Sequence, residues 1–229
     1  YFPMKMCFVL MGGAMDRFLE QQLAQWKEDP QRKPLVLDGA RQVGKTWLSK
    51  EFGRRHFESV AYISLQDNER MSHLFAGDIS PDRLVPALAL EAGVPIKPQT
   101  TLIILDEVQE VPRALTALKY FCEVASEYAV LATGSSLGIA LHPDTSFPVG
   151  KVKLLRLYPM CFREFLLALG ESQLEEVVSC ADADMMALFH DKLLGYLKYY
   201  LVIGGMPEAV EAFASSYPNV DFDSIDAIQ

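Results

Sequence analysis

The sequence predicts an α/β protein: a doubly wound, mainly parallel five-stranded sheet, followed by a small C-terminal helical lid. Three observations predict it. Strand-like and helix-like segments alternate through the first two thirds of the chain. The central strand-like segments are unbroken apolar runs, as expected of a parallel sheet covered on both faces. A GxxxxGK[ST] pattern sits between a strand and a helix. Alternating strands and helices imply right-handed crossovers and hence parallel pairing.

The elements follow in order. Asp16 is placed to cap a helix to about Glu28, with Phe18, Leu19, Gln22, Leu23 and Trp26 at helical spacing. Asp29-Pro30 ends it. Pro34 to Asp38 is a short apolar strand, and Lys45 to Phe52 reads as a helix with Gly53 near its stop. Ser59 to Leu65 is a second strand. Ser80-Pro81-Asp82 starts a helix that Pro86 is expected to interrupt or kink. Thr101 to Leu105 is a third strand. Pro112 opens an amphipathic helix with Val111, Leu115, Leu118, Phe121, Cys122 and Ala125 on one side, so Cys122 is expected in the core. Tyr128 to Thr133 and Val152 to Leu157 complete the sheet. Beyond Pro159 the pattern turns helical. Phe162, Phe165, Leu166 and Leu169 form one stripe, and Met186, Phe189, Leu193, Leu197 and Leu201 another. Gly204-Gly205 breaks that helix and Pro207-Glu208 begins the next. The expected division is an N-terminal extension over 1–15, a core over 16–158 and a helical lid over 159–229.

The glycine pattern is complete: Gly39, Ala40, Arg41, Gln42, Val43, Gly44, Lys45 and Thr46. Glycines at its ends allow backbone angles and close approaches that a side chain would block. The loop amides and the following helix N-terminus then favour phosphate. Lys45 is expected to reach the β- and γ-phosphates, and Thr46 to place its hydroxyl on Mg²⁺. This points to a bound nucleotide with magnesium.

Leu102-Ile103-Ile104-Leu105-Asp106-Glu107 is an apolar strand ending in two carboxylates. Such a strand delivers Asp106 to the sheet edge beside the loop, where it would hold magnesium. Glu107 would act as general base on the attacking water. A base placed directly after the metal-binding Asp goes with an extra strand between the loop strand and the acidic strand, and the segment 128–133 would be that insertion. At its end, Ser135, or Thr133 next, would align water or sense the γ-phosphate. The chain has no Asn-Lys-x-Asp element for guanine and no LSGGQ element, so ATP is the expected nucleotide.

The bulk numbers narrow the alternatives. A net charge of −9, from 30 acidic and 21 basic residues, does not support phosphate-driven nucleic-acid binding. Lys27, Arg32, Lys33, Arg54 and Arg55 are the candidates for a local basic patch, against a plain solvated face. Four dispersed cysteines suggest neither a metal clip nor a redox pair and fit a reducing cytoplasm. No apolar run is long enough to span a bilayer. Residues 4–15 faintly resemble a secretory signal. The preferred expectation is an upstream extension, with Met11 or Met15 as initiator.

The segments GARQVGKT, LIILDEVQ, TGSS, LYPMCFREFL and YLVIGGMPEAV occur in this order. Together, over about residues 16–229, they resemble a prokaryotic AAA-type ATPase family whose full-length members carry a C-terminal nuclease-like domain of unknown function. The resemblance implies an AAA-like core with a helical lid, a possible homo-oligomer, and a chain that continues beyond Gln229. In that family an arginine commonly follows the glycine before the fifth strand. Here Gly150 is followed by Lys151, a point charge in place of a fork, which leaves Arg156 or Arg163 as finger candidates. Three functions are expected to compete: ATP hydrolysis driving conformational change, a nucleotide-operated switch with little turnover, and a DNA-associated defence or motor ATPase. A small-molecule kinase would need a substrate pocket that the sequence does not reveal.

Overall fold

The structure is a computed structural model that describes residues 17–135, 148 and 150–218. The extension over 1–15, the cap at Asp16, and residues Ser136 and 219–229 lie outside the described residues. Two compact units are present. One is Leu19–Tyr158, and the other holds the chain from Pro159 onward together with Arg17 and Phe18.

The first unit is a five-stranded sheet: β1 (Leu35–Gly39), β2 (Ser59–Ser64), β3 (Thr101–Asp106), β4 (Ala129–Ser135) and β5 (Lys153–Leu157). Its order is β2-β3-β4-β1-β5, and every neighbouring pair is parallel. β4 therefore lies between β1 and β3, the insertion expected from the Asp-Glu pair. The middle strands β1, β3 and β4 are buried at every position, which is why they read as unbroken apolar runs. The edge strands β2 and β5 alternate instead.

Helices α1 (Leu19–Glu28), α2 (Lys45–His56), α3 (Glu69–Ala76), α4 (Pro81–Ala92) and α5 (Pro112–Val124) accompany the sheet. Leu84, Leu88, Leu118 and Phe121 pack with Ile103, Leu105 and Val130 in one core. Each such side chain contributes about 1.5–3 kcal/mol by leaving water. Trp26 and Phe52 are also fully buried, with ring centroids 6.4 Å apart.

Three local expectations are corrected. Gly53 does not stop α2, which runs on to His56. A Cβ at Gly53 would lie 2.6 Å from Val60 Cγ2 and 3.1 Å from Leu102 Cδ2, so the glycine serves close helix-to-sheet packing. Pro86 does not interrupt α4, which is continuous through it. Cys122 is only half-buried, because the buried stripe of α5 runs through Ala114, Leu115, Ala117, Leu118 and Phe121. Helix α3, capped by the Asn68 side chain accepting from the Met71 amide, is an element the sequence reading passes over.

The second unit holds α6 (Phe162–Ala168), α7 (Ser172–Cys180), α8 (Ala183–Leu188), α9 (His190–Ile203) and α10 (Pro207–Ser216). Phe165 centres an aromatic cluster with Tyr200 at 5.5 Å and Phe213 at 5.6 Å. The break at Gly204-Gly205 is as expected. At Gly205 a Cβ would lie 2.1 Å from the Met160 carbonyl oxygen, and the Met160 amide donates to the Gly205 carbonyl at 2.6 Å. The expected stripe of Met186 to Leu201 holds at Leu193, with Leu197 half-buried, and fails at its ends. The buried line is Leu193, Tyr196 and Ile203, whereas Met186, Phe189 and Leu201 are exposed. The chain turns at Phe189 between α8 and α9, so no single helical period spans that stretch. No helix among the described residues is long and apolar enough to cross a membrane.

Candidate functional site

The site lies at the C-terminal edge of the sheet and is built from β1, α2, β3 and β4. The loop between β1 and α2 exposes Ala40, Arg41 and Gln42 and buries Val43. Gln42 and Gly44 both take positive φ, 63° and 90°, and Gly44 can do so without a Cβ penalty. At Gly39 the close approach is that of the protein's own backbone. A Cβ there would sit 2.4 Å from the backbone oxygen of Leu157 on β5. No side chain caps the start of α2, so its first-turn amides remain suited to an anion.

Lys45 is buried and donates to the carbonyls of Gly39 (3.0 Å) and Ala40 (2.7 Å) and to Ser135 Oγ (3.1 Å). Burial lowers its pKa, and the negative charges of Glu107, Asp38 and Asp106 partly oppose that shift.

Asp106 is buried and accepts from three hydroxyls. Thr46 Oγ1 lies 3.0–3.1 Å from its two oxygens, Tyr62 donates to Oδ2 at 2.8 Å, and Thr133 donates to Oδ1. Tyr62 is pushed well above the usual phenol range, first by burial and then by its bond to Asp106. Thr46 and Asp106 thus stand together. A hydroxyl and a carboxylate suit Mg²⁺, which usually takes one or two carboxylates and completes its shell with phosphate oxygens and water. Among the described residues no cluster of three His, Cys, Asp or Glu side chains could hold a metal without such help.

Glu107 adopts a left-handed conformation, φ 56° and ψ 53°, which is uncommon for a residue with a Cβ. Its amide donates to Thr133 Oγ1 at 3.3 Å, and its Oε2 lies 3.4 Å from Ser135 Oγ. The two candidates at the end of β4 therefore divide the site. Thr133 bonds Asp106 and the Glu107 backbone, and Ser135 lies between Lys45 and the Glu107 carboxylate.

Two residues outside the expected set join the site. Tyr62 reaches Asp106 from β2, and the register pairs Tyr62 with Ile104 and Ser64 with Asp106. The Ser59–Ser64 sequence carries no polar period that marks Tyr62, and its contact follows from strand register. Gln109, in the 3-10 turn Val108–Glu110, contacts both Glu107 and Ser135. The arginine candidates are engaged elsewhere: Arg156 with Asp38 (3.0 Å), Arg163 with Glu175 and Ser179, and Lys151 with Glu123 (2.9 Å). Of the five candidates for a basic patch, three face carboxylates. Arg54 and Arg55 both bond Glu51, Arg55 also bonds Glu20, and Lys27 pairs with Glu28.

A phosphate-type loop on β1, an acidic β3 and a strand inserted between them define the P-loop ATPase class. Residues 31–166, more than half of the chain, match the AAA domain, and the chain belongs to that family. Its fold is similar to the Walker-type ATPase of Pyrococcus abyssi, at 17% identity and TM-score 0.56, covering 93% of this chain and 71% of that one. It is also similar to a chain from the structure of Drosophila ORC bound to DNA, at 15% identity and TM-score 0.54, covering 90% of this chain and 61% of that one. At these identities the likeness is one of fold, and this chain spans under two thirds of the latter. No curated protein matches the sequence.

Proposed function

We propose that this chain binds ATP with magnesium and hydrolyses it, using the cycle to drive conformational change. The supporting observation is the convergence of Lys45, Thr46, Asp106, Glu107 and Ser135 in one hydrogen-bonded cluster at the sheet edge. In this reading the loop amides from Gly39 to Thr46 cradle the phosphates, and Lys45 exchanges its carbonyl partners for phosphate oxygens. Thr46 and Asp106 hold the metal, which supplies charge neutralisation at the phosphate oxygens. Glu107 takes the proton of the attacking water as the bond between the γ-phosphorus and the bridging oxygen breaks and ADP leaves. Ser135 orients that water or the γ-phosphate. General bases typically contribute 10²–10⁴-fold, so Glu107→Gln should lower turnover by about that factor while ATP still binds. Turnover of the unmutated chain no higher than that of Glu107→Gln would sink the hydrolase reading.

A second reading is favoured by the engaged cations. Arg156, Arg163 and Lys151 each already face a carboxylate, which fits a nucleotide-operated switch with little turnover by itself. ADP that stays bound through purification and exchanges slowly would support the switch. A second copy of the chain, the homo-oligomer that family analogy implies, is one source of a missing arginine. Mass measured with and without ATP tests it. The fold likeness to an ORC chain keeps a DNA-associated role in view, but the net charge of −9 does not favour it.

A further inference from the structure

Gln109 closes a ring of contacts between the two ends of the candidate chemistry. Its Nε2 donates to Glu107 Oε2 at 2.5 Å, and its Oε1 accepts from the Ser135 amide at 3.2 Å. Ser135 Oγ in turn lies 3.4 Å from the same Glu107 oxygen and accepts from Lys45 Nζ at 3.1 Å. One carboxamide therefore uses both its donor and its acceptor to tie Glu107 to the tip of β4. Neither a carboxylate, which cannot donate, nor an ammonium, which cannot accept, could replace it.

Resting on the hydrolase reading above, we propose that Gln109 is a positioning residue for Glu107. It fixes one carboxylate oxygen against β4, so that the base follows the contact between Ser135 and Lys45. Whatever binds Lys45 and shifts Ser135 is thereby felt at Glu107. The left-handed backbone at Glu107 supports this role, because the turn it makes brings Gln109 back over the residue two before it. Gln109 touches neither nucleotide nor metal in this scheme. Its loss should affect turnover and leave binding alone.

The test is a double-mutant cycle on the purified chain, reading single-turnover ATP cleavage, steady-state KM and the thermal midpoint. Gln109→Met keeps the length and removes both bonds. Gln109→Glu keeps the acceptor for the Ser135 amide and removes the donor to Glu107. Both are expected to lower the cleavage rate about tenfold or more with KM within about twofold, because a positioning contact acts in the transition state. In a Glu107→Ala background, Gln109→Met should change the residual rate less than about twofold, since there is no carboxylate left to position. Equal losses in both backgrounds, a parallel rise in KM, or a Gln109→Met rate equal to the unmutated one would each overturn the proposal. In that last case, turnover that still depends on Glu107 leaves the hydrolase reading standing. If the unmutated rate does not exceed that of Glu107→Ala, the hydrolase reading falls and the Gln109 role falls with it.

Discussion

At the residue scale, the loop glycine and the hydroxyls around Asp106 make opposite demands on mutation. Gly39 faces a backbone oxygen of β5 that cannot turn aside. Gly39→Ala should therefore destabilise the fold by about 1–3 kcal/mol, the usual range for overpacking, measurable as a lower denaturant midpoint without any nucleotide. Tyr62→Phe removes one of three hydroxyl donors to a buried carboxylate. It should cost about 1.5 kcal/mol and raise the magnesium concentration needed for half-maximal turnover. Unchanged values on both counts would show that the phenol is incidental. The eight loop residues, Asp106 and Glu107 were legible because their chemistry is written in contiguous sequence. Tyr62 and Gln109 were not, because their contacts depend on strand register and on a left-handed turn. Neither leaves a local periodic mark.

At the element scale, α2 carries the loop, and two of its features set testable signs. Glu51 accepts from Arg54 and Arg55 on the next turn. The Arg54 bond, with the pairing to Arg55, holds its carboxyl down to about 2 from an ordinary 4.5. A carboxyl lowered in the folded state stabilises it above its unfolded value. That contribution is full above about pH 4.5 and is lost as pH falls toward about 2. Glu51→Gln should flatten the stability profile in that window, as read by urea unfolding at several pH values. The effect will be small, because Arg54, the main partner, is largely exposed and salt screens it. Gly53 offers the sharper test. Alanine is the better helix former by about 1 kcal/mol. Yet its Cβ would meet Val60, whose branched side chain has little rotamer freedom to yield. Gly53→Ala should therefore lower stability despite the propensity gain. Glycine so often marks a helix stop that the sequence suggests one there, and the strand pressed against the helix leaves no mark in the local sequence. The same limit applies to α9: the apolar spacing from Met186 to Leu201 suggests one continuous helix, but the chain turns at Phe189.

At the scale of the whole molecule, the sheet was the most legible part. Burial on both faces turns three central strands into unbroken apolar runs, and such runs need no partner to be recognised. Ile103, fully buried in the core beside β4, should cost about 2–5 kcal/mol as Ile103→Ala. That is a fall of roughly 10 °C in the melting midpoint for a chain of this size. Strand order was legible only indirectly, through the chemistry of the Asp-Glu pair. It also has an effect beyond architecture. Adjacent strands lie about 4.8 Å apart, so placing β4 between β1 and β3 sets those two strands two spacings apart, about 10 Å between their axes. The strand in the gap ends in a neutral hydroxyl, that of Ser135, which touches both. β4 thus works as a ruler and an insulator. It puts a neutral hydroxyl, not a direct ion pair, between the cation of Lys45 and the anion of Glu107.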